Sequence, residues 1–88
     1  MPVICMFDGI KIYMYIETDG RHQKPHIHAY YGEYSIAVDF SGNIIEGNLP
    51  RKKKAMLIAW VMMHEDELIA NYELMKSGAE PFRLEPLR

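Results

Sequence analysis

Lys24-Pro25-His26-Ile27-His28-Ala29-Tyr30-Tyr31-Gly32-Glu33-Tyr34-Ser35-Ile36-Ala37-Val38-Asp39 decides the fold, because it reads as one hairpin in which every side chain has a face. Gly32-Glu33 fits a two-residue turn of the Gly-X kind. That turn sets Tyr31 opposite Tyr34, Ala29 opposite Ile36, Ile27 opposite Val38 and His26 opposite Asp39. Side chains alternate along a strand, so one face collects Ile27, Ala29, Tyr31, Tyr34, Ile36 and Val38. The other collects His26, His28, Tyr30, Ser35, Ala37 and Asp39. The first face is apolar enough for a core, and the second carries two imidazoles and a carboxylate.

A hairpin of the same kind precedes it. Residues 3–7 and 10–16 flank Asp8-Gly9, a strong two-residue turn signal that places Phe7 opposite Ile10. Val3, Cys5, Phe7, Ile10, Ile12 and Met14 then share the core face, and Ile4, Met6, Lys11, Tyr13 and Tyr15 the other. Residues 17–25 lack periodicity and are rich in charge and turn formers, which predicts an exposed loop. Beyond Asp39, Ser41-Gly42-Asn43 turns the chain into a fifth strand around residues 44–47. Its register is open: a two-residue turn at Gly42-Asn43 sets Glu46 opposite Asp39, and a three-residue turn does not.

From Arg51 the pattern changes to a period of 3.6 behind Pro50. Leu57, Trp60, Val61, His64, Leu68, Tyr72 and Met75 form one stripe at spacings of three and four, the face that covers the sheet. Neither glycine nor proline interrupts His64-Glu65-Asp66-Glu67, so one long helix over about residues 51–77 is expected, with a kink at His64 as the alternative. Gly78 stops it, and Pro81 and Pro86 keep the tail extended. The fold class is α+β: an antiparallel meander of about five strands with one face packed on the long C-terminal helix and the other left open. Residues 1–88 read as a single domain, with sheet 3–47, helix about 51–77 and tail 78–88.

Eighty-eight residues support one modest core, burying about two-thirds of the surface the unfolded chain exposes. A composition of 49% hydrophobic and 25% charged residues is that of an ordinary globular protein. The longest apolar stretch, residues 55–63, falls short of the roughly 20 residues a bilayer requires, and a cytoplasmic location without membrane contact is the expectation. Cys5 has no second cysteine to pair with and sits at an apolar strand position, so it reads as core. A net charge of −2 and a pI near 6.0 argue mildly against nucleic-acid binding through bulk charge alone and leave a local basic patch as the route to it. No glycine-rich phosphate loop, nucleophile elbow, Cys-x-x-Cys or paired-carboxylate glycosidase pattern appears, which argues against an elaborate enzyme.

Three groups of residues carry possible chemistry. His26 and His28 point the same way about 7 Å apart at the backbone, the spacing by which His-x-His pairs hold zinc, iron or nickel, with Asp39 as third ligand and Glu46 or His22 to complete the set. The same His26, His28 and Asp39 are the candidate catalytic residues. Against this stands the plainer account, a polar outer face with a His-Asp cross-strand pair. Tyr13, Tyr15 and Tyr30, with Lys11 nearby, offer rings on which unpaired bases stack, although tyrosine also simply suits a half-exposed pleated surface. Arg51, Lys52, Lys53 and Lys54 occupy a first helical turn, where positive charge opposes the helix dipole. They read as a contact for an anion, nucleic acid or acidic partner, or as a solvated charge run. Exposure of Met62 and Met63 would mark a partner protein or a homodimer.

Pro-Val-Ile at the start, Gly9-Ile-Lys-Ile-Tyr-Met-Tyr15, Pro25-His26-Ile27-His28 followed by Gly-Glu-Tyr, Gly47-Asn48-Leu49-Pro50, and a Trp-containing helix ending in Asn71-Tyr72-Glu73 resemble the domain-of-unknown-function family 4160 across nearly the whole chain. The resemblance implies a short prokaryotic protein encoded beside another small domain, similar to a toxin–antitoxin pair, and supplies no catalytic residues. The resulting expectation is a small cytosolic interaction module with a partner encoded nearby or a second copy of itself, contacted through the histidine face and the basic helix start, and with no cofactor. The alternative is a small ribonuclease or metal-dependent hydrolase using His26, His28 and Asp39 and a divalent transition metal.

Overall fold

Two hairpins and an edge strand, laid side by side in chain order, build the sheet. The computed structural model describes residues 3–14 and 25–87. Strands β1 (Val3–Phe7), β2 (Ile10–Tyr13), β3 (His26–Tyr31), β4 (Tyr34–Asp39) and β5 (Ile44–Asn48) form one antiparallel sheet in the order β1-β2-β3-β4-β5, followed by α1 (Arg51–Met63) and α2 (Glu65–Lys76). The exposed loop expected at 17–25, with Tyr15 and His22, lies outside the described residues except for Pro25.

The central hairpin has the expected register at every pair from His26↔Asp39 to Tyr31↔Tyr34, and Gly32 turns it at φ 57°. In the first hairpin Asp8 (φ 49°) and Gly9 (φ 79°) both take the left-handed conformation a type I′ turn requires. Phe7↔Ile10, Met6↔Lys11 and Cys5↔Ile12 follow, but the register then slips and Val3 pairs with Tyr13. The slip is a bulge, which gives β1 one extra residue and reverses the facing beyond it. Ile4, expected on the outer face, is thereby fully buried, while Val3 is only half-buried.

The turn between β4 and β5 closes between Asp39 and Asn43 on three residues, Phe40, Ser41 and Gly42. The Asp39 N–H donates to the Asn43 carbonyl (2.9 Å), the Gly42 N–H donates to the Asp39 carbonyl (3.1 Å), and Gly42 sits at φ 96°, as such a loop demands. A further irregularity falls between the pairs Val38↔Ile44 and Ala37↔Glu46. Glu46 therefore stands opposite Ala37, and the carboxylate pair with Asp39 does not form.

One face of the sheet packs on the helices. Ile4, Ile10, Ile12, Ile27, Ala29, Ile36 and Val38 join Leu57, Trp60, Val61 and Leu68 in a single buried cluster, with the Phe7 ring 6.1 Å from the Trp60 ring. Each of the larger side chains contributes on the order of 1.5–3 kcal/mol by leaving water.

The expected single helix over 51–77 is two helices. His64 (φ −110°, ψ 20°) separates them: its N–H bonds to the Trp60 and Val61 carbonyls, and its own carbonyl accepts the Leu68 N–H (2.9 Å), which begins the second ladder. Glu65, Asp66 and Glu67 fill the first turn of α2, where negative charge complements the helix dipole. The His64 Nδ1 lies 2.5 Å from Glu67 Oε1. The stripe continues across the break, with Leu57, Trp60, Val61 and Leu68 buried and His64, Tyr72 and Met75 half-buried.

Beyond Lys76 the chain returns over both helices. Asn71, completely buried on α2, donates from Nδ2 to the Phe82 carbonyl (2.9 Å) and accepts the Phe82 N–H at Oδ1 (2.9 Å). The Trp60 indole donates to the Glu85 carbonyl (2.8 Å), and the Leu84 N–H donates to the carbonyl of the bulged Ile4 (2.8 Å). Among the described residues no helix is long and apolar enough to cross a membrane.

Candidate functional site on the uncovered sheet face

The sheet face turned away from the helices is organised in cross-strand lines. Tyr13 pairs with His28, His28 with Ala37, and Ala37 with Glu46, so these four residues cross four strands in one line. The adjacent line runs Lys11, Tyr30, Ser35, Asn48. Ala37, Ser35 and Gly47 are small, and over them a cleft of about 220 Å³ opens, edged by His28, Tyr30 and Glu46. The Tyr13 and Tyr30 rings meet edge to face, 5.4 Å apart at 81°. Such a pair adds roughly 0.5–1.5 kcal/mol beyond its area, and it holds the Tyr30 ring in place beside the cleft.

The opposite end of this face is closed. His26 is 5% exposed and Asp39 4%, against the expectation of an open face along its whole length. His26 and His28 are brought together as their spacing predicts: their Nε2 atoms are 3.1 Å apart and their ring centroids 4.9 Å apart. Asp39 pairs with His26 across the strands, but its carboxylate serves the β4–β5 turn. Oδ1 accepts the N–H groups of Ser41 and Asn43, both at 2.9 Å, and Oδ2 accepts Asn43 Nδ2 at 3.2 Å. Among the described residues no group of three or more His, Cys, Asp or Glu side chains is arranged to hold a metal ion.

Of the basic run, Lys53 is built into the fold. Its Nζ donates to the Asp8 carbonyl (3.0 Å) and stands 5.1 Å from the centre of the Tyr31 ring. Arg51 and Lys52 are exposed and Lys54 is half-buried. Tyr15, the remaining candidate on the tyrosine platform, lies outside the described residues. Cys5 is buried at 2% exposure, and burial pushes its thiol up from the ordinary value, so it is an inert core residue.

Gly47 explains the Gly47-Asn48-Leu49-Pro50 segment. It has φ 82°, and a Cβ on it would stand 2.3 Å from the Ser35 carbonyl oxygen and 2.9 Å from the Ile36 Cα. Only glycine lets β5 approach β4 so closely, and that approach forms the floor of the cleft. Sequence reasoning missed the cleft because it depends on the β5 register. The available signal was a glycine at the third position of a possible three-residue turn, Phe40-Ser41-Gly42.

No curated protein and no solved structure matches the chain. A family model does, under the description "Domain of unknown function (DUF4160)", over residues 9–73. The matched segment begins at the first turn and ends within α2, so it holds β2 to β5, the cleft and both histidines, while β1 and the returning tail fall outside it. On that match the chain belongs to the DUF4160 family.

Proposed function

We propose that the chain is a small interaction module that engages a protein partner through the Tyr13–Tyr30 end of its uncovered sheet face. One observation carries this reading: two tyrosines locked edge to face stand beside a cleft of about 220 Å³ on a face the helices do not cover. Tyrosine provides large contact area with little conformational entropy to lose, and such residues dominate binding energy at interfaces. His28, Ser35 and Glu46 around the cleft supply polar groups that orient a partner. Arg51 and Lys52 start α1 at the end of the sheet where Lys53 meets Asp8 and Tyr31, so the contact surface extends toward an acidic edge of the partner. The family resemblance points to a partner encoded beside this chain, as in toxin–antitoxin pairs. Co-expression with the neighbouring gene product is expected to give a complex that survives purification and weakens at least tenfold in Tyr13→Ala and Tyr30→Ala, given the cost of truncating interface tyrosines. Absence of a complex, or one indifferent to both substitutions, refutes the reading.

A second reading, a small ribonuclease or metal-dependent hydrolase, draws on a different observation. The 3.1 Å between the two Nε2 atoms is a separation that two nitrogen ligands can take around one metal ion at about 2.0–2.1 Å each. Zinc, iron or nickel near stoichiometry in tag-free protein, lost in His26→Ala/His28→Ala, is the result this reading requires from plasma mass spectrometry. Metal absent from both proteins would sink its metal-dependent form. Cleavage of single-stranded RNA that is indifferent to either histidine substitution would end the ribonuclease form.

A further inference from the structure

Helix α1 is apolar on more than the side it buries. Leu57, Trp60 and Val61 face the core, yet Ala55, Ala59, Met62 and Met63 are exposed and Ile58 is half-buried. Met62 is 60% exposed and Met63 70%, large apolar side chains left in solvent. A helix apolar around most of its circumference is normally buried in an assembly.

Ala55, Ile58, Ala59 and Met62 fall on one stripe at spacings of three, one and three, with Arg51 and Lys52 a turn before it and, past the break at His64, exposed Asp66 and half-buried Glu65, which accepts the Ser41 hydroxyl (3.3 Å), at the start of α2. Read in order the stripe is basic, small, large, small, large, acidic, which is self-complementary in the antiparallel sense. A two-fold axis passing between Ile58 and Ala59 sets Met62 of each copy against Ala55 of the other, Ile58 against Ala59, Arg51 against Asp66 and Lys52 against Glu65. Large side chains meet small ones and each basic end meets an acidic end, while the two helix dipoles run opposite. Ile58 and Met62 also rest against the β4–β5 turn, being the side chains nearest a Cβ placed on Gly42, and Ile44, 44% exposed, follows two residues on. The apolar surface thus extends from the helix toward the edge strand.

We infer that the chain forms a two-fold homodimer through the outer stripe of α1 and the first residues of α2. The partner is a second copy because the order of charge and size along this stripe is complementary to its own reverse. The α1 stripe spans about 20 Å and yields a contact near the small end of specific interfaces, so a dissociation constant in the micromolar range is expected. The dimer leaves the tyrosine face uncovered and does not depend on the function proposed for it.

The test is sedimentation equilibrium of the full chain with four variants: Met62→Glu, Arg51→Asp, Asp66→Arg and the double reversal Arg51→Asp/Asp66→Arg. All altered residues are exposed, and circular dichroism verifies that each variant is folded. The expected result is a wild-type mass of twice 10.3 kDa, a monomeric Met62→Glu protein, and a dissociation constant about tenfold higher in each single charge reversal, since the dimer holds two such pairs. The double reversal is expected to recover wild-type affinity, which only antiparallel self-pairing of α1 predicts. A monomeric wild type, a dimer unaffected by Met62→Glu, or failure of the double reversal to recover affinity overturns the inference.

Discussion

The Nε2 atoms of His26 and His28 lie 3.1 Å apart within one strand, at hydrogen-bonding distance. Two neutral imidazoles make that bond only when one carries its hydrogen on Nε2 and the other carries it on Nδ1, leaving a lone pair to accept. Long-range nitrogen–proton correlation spectra of the metal-free protein above neutral pH are expected to show one histidine of each tautomer. Substituting His28 by Ala should return His26 to whatever tautomer its remaining surroundings prefer. Two identical tautomers in the wild-type protein would contradict the bond.

Asn71 is the tail's anchor. Asn71→Ala removes both hydrogen bonds to Phe82 and leaves room where a buried amide was, at an expected cost of about 2–3 kcal/mol. Asn71→Asp retains an acceptor for the Phe82 N–H but loses the donor, so it should also destabilise. Urea denaturation gives the magnitude. Limited proteolysis is expected to cut within residues 79–87 in both variants sooner than in the wild type, and equal cutting rates would show that the clamp does not hold the tail.

Replacing Gly47 by alanine imposes two penalties at once: a left-handed backbone (φ 82°) and a Cβ 2.3 Å from the Ser35 carbonyl oxygen. The expected loss is about 3 kcal/mol, or local detachment of β5. Gly32→Ala is the comparison. It shares the left-handed conformation (φ 57°) but has nothing within 4 Å of the added Cβ, so it should cost less. Equal midpoints for the two variants in a urea titration would refute the close approach of β5 to β4.

Burial raises the Cys5 thiol above its ordinary value of 9.0, and the pH dependence follows from the sign. Below that value the thiol is protonated in both folded and unfolded chains and contributes no slope. As pH rises through it the unfolded chain ionises first, so stability falls, and the fall ends once pH exceeds the raised folded value. Chemical denaturation from about pH 8 to pH 10 should show this slope in the wild type and its loss in Cys5→Ala. The native thiol should also react with a disulfide reagent far more slowly than the unfolded one.

What could be read from the sequence depended on how tightly each turn constrained the strands beside it. Gly32-Glu33 admits one compact hairpin, so all pairs from Tyr31↔Tyr34 to His26↔Asp39 were legible, and with them the meeting of His26 and His28. Ser41-Gly42-Asn43 is compatible with turns of two lengths, and the choice between them, together with the irregularity after Ile44, moves Glu46 from Asp39 to Ala37. Nothing local marks the bulge that buries Ile4, because Val3-Ile4-Cys5 is apolar at every position and so shows no alternation whose reversal could be read. The break at His64 had a signal that carried little weight beside the unbroken hydrophobic stripe: three consecutive acids, which suit a helix start better than a helix middle. Asn71 sits inside an apolar stripe, and its role depends on a tail whose path no periodicity reveals.

The returning tail also bears on the order in which the protein folds. Trp60 and Asn71 bury polar groups whose hydrogen-bond partners are the backbones of residues 82 and 85. While that segment is undocked, the sheet and both helices can form but those groups must stay hydrated, so the core around Trp60 stays ajar. Drying of that core is then a late, cooperative step that waits for the segment after α2 to close over helices already made.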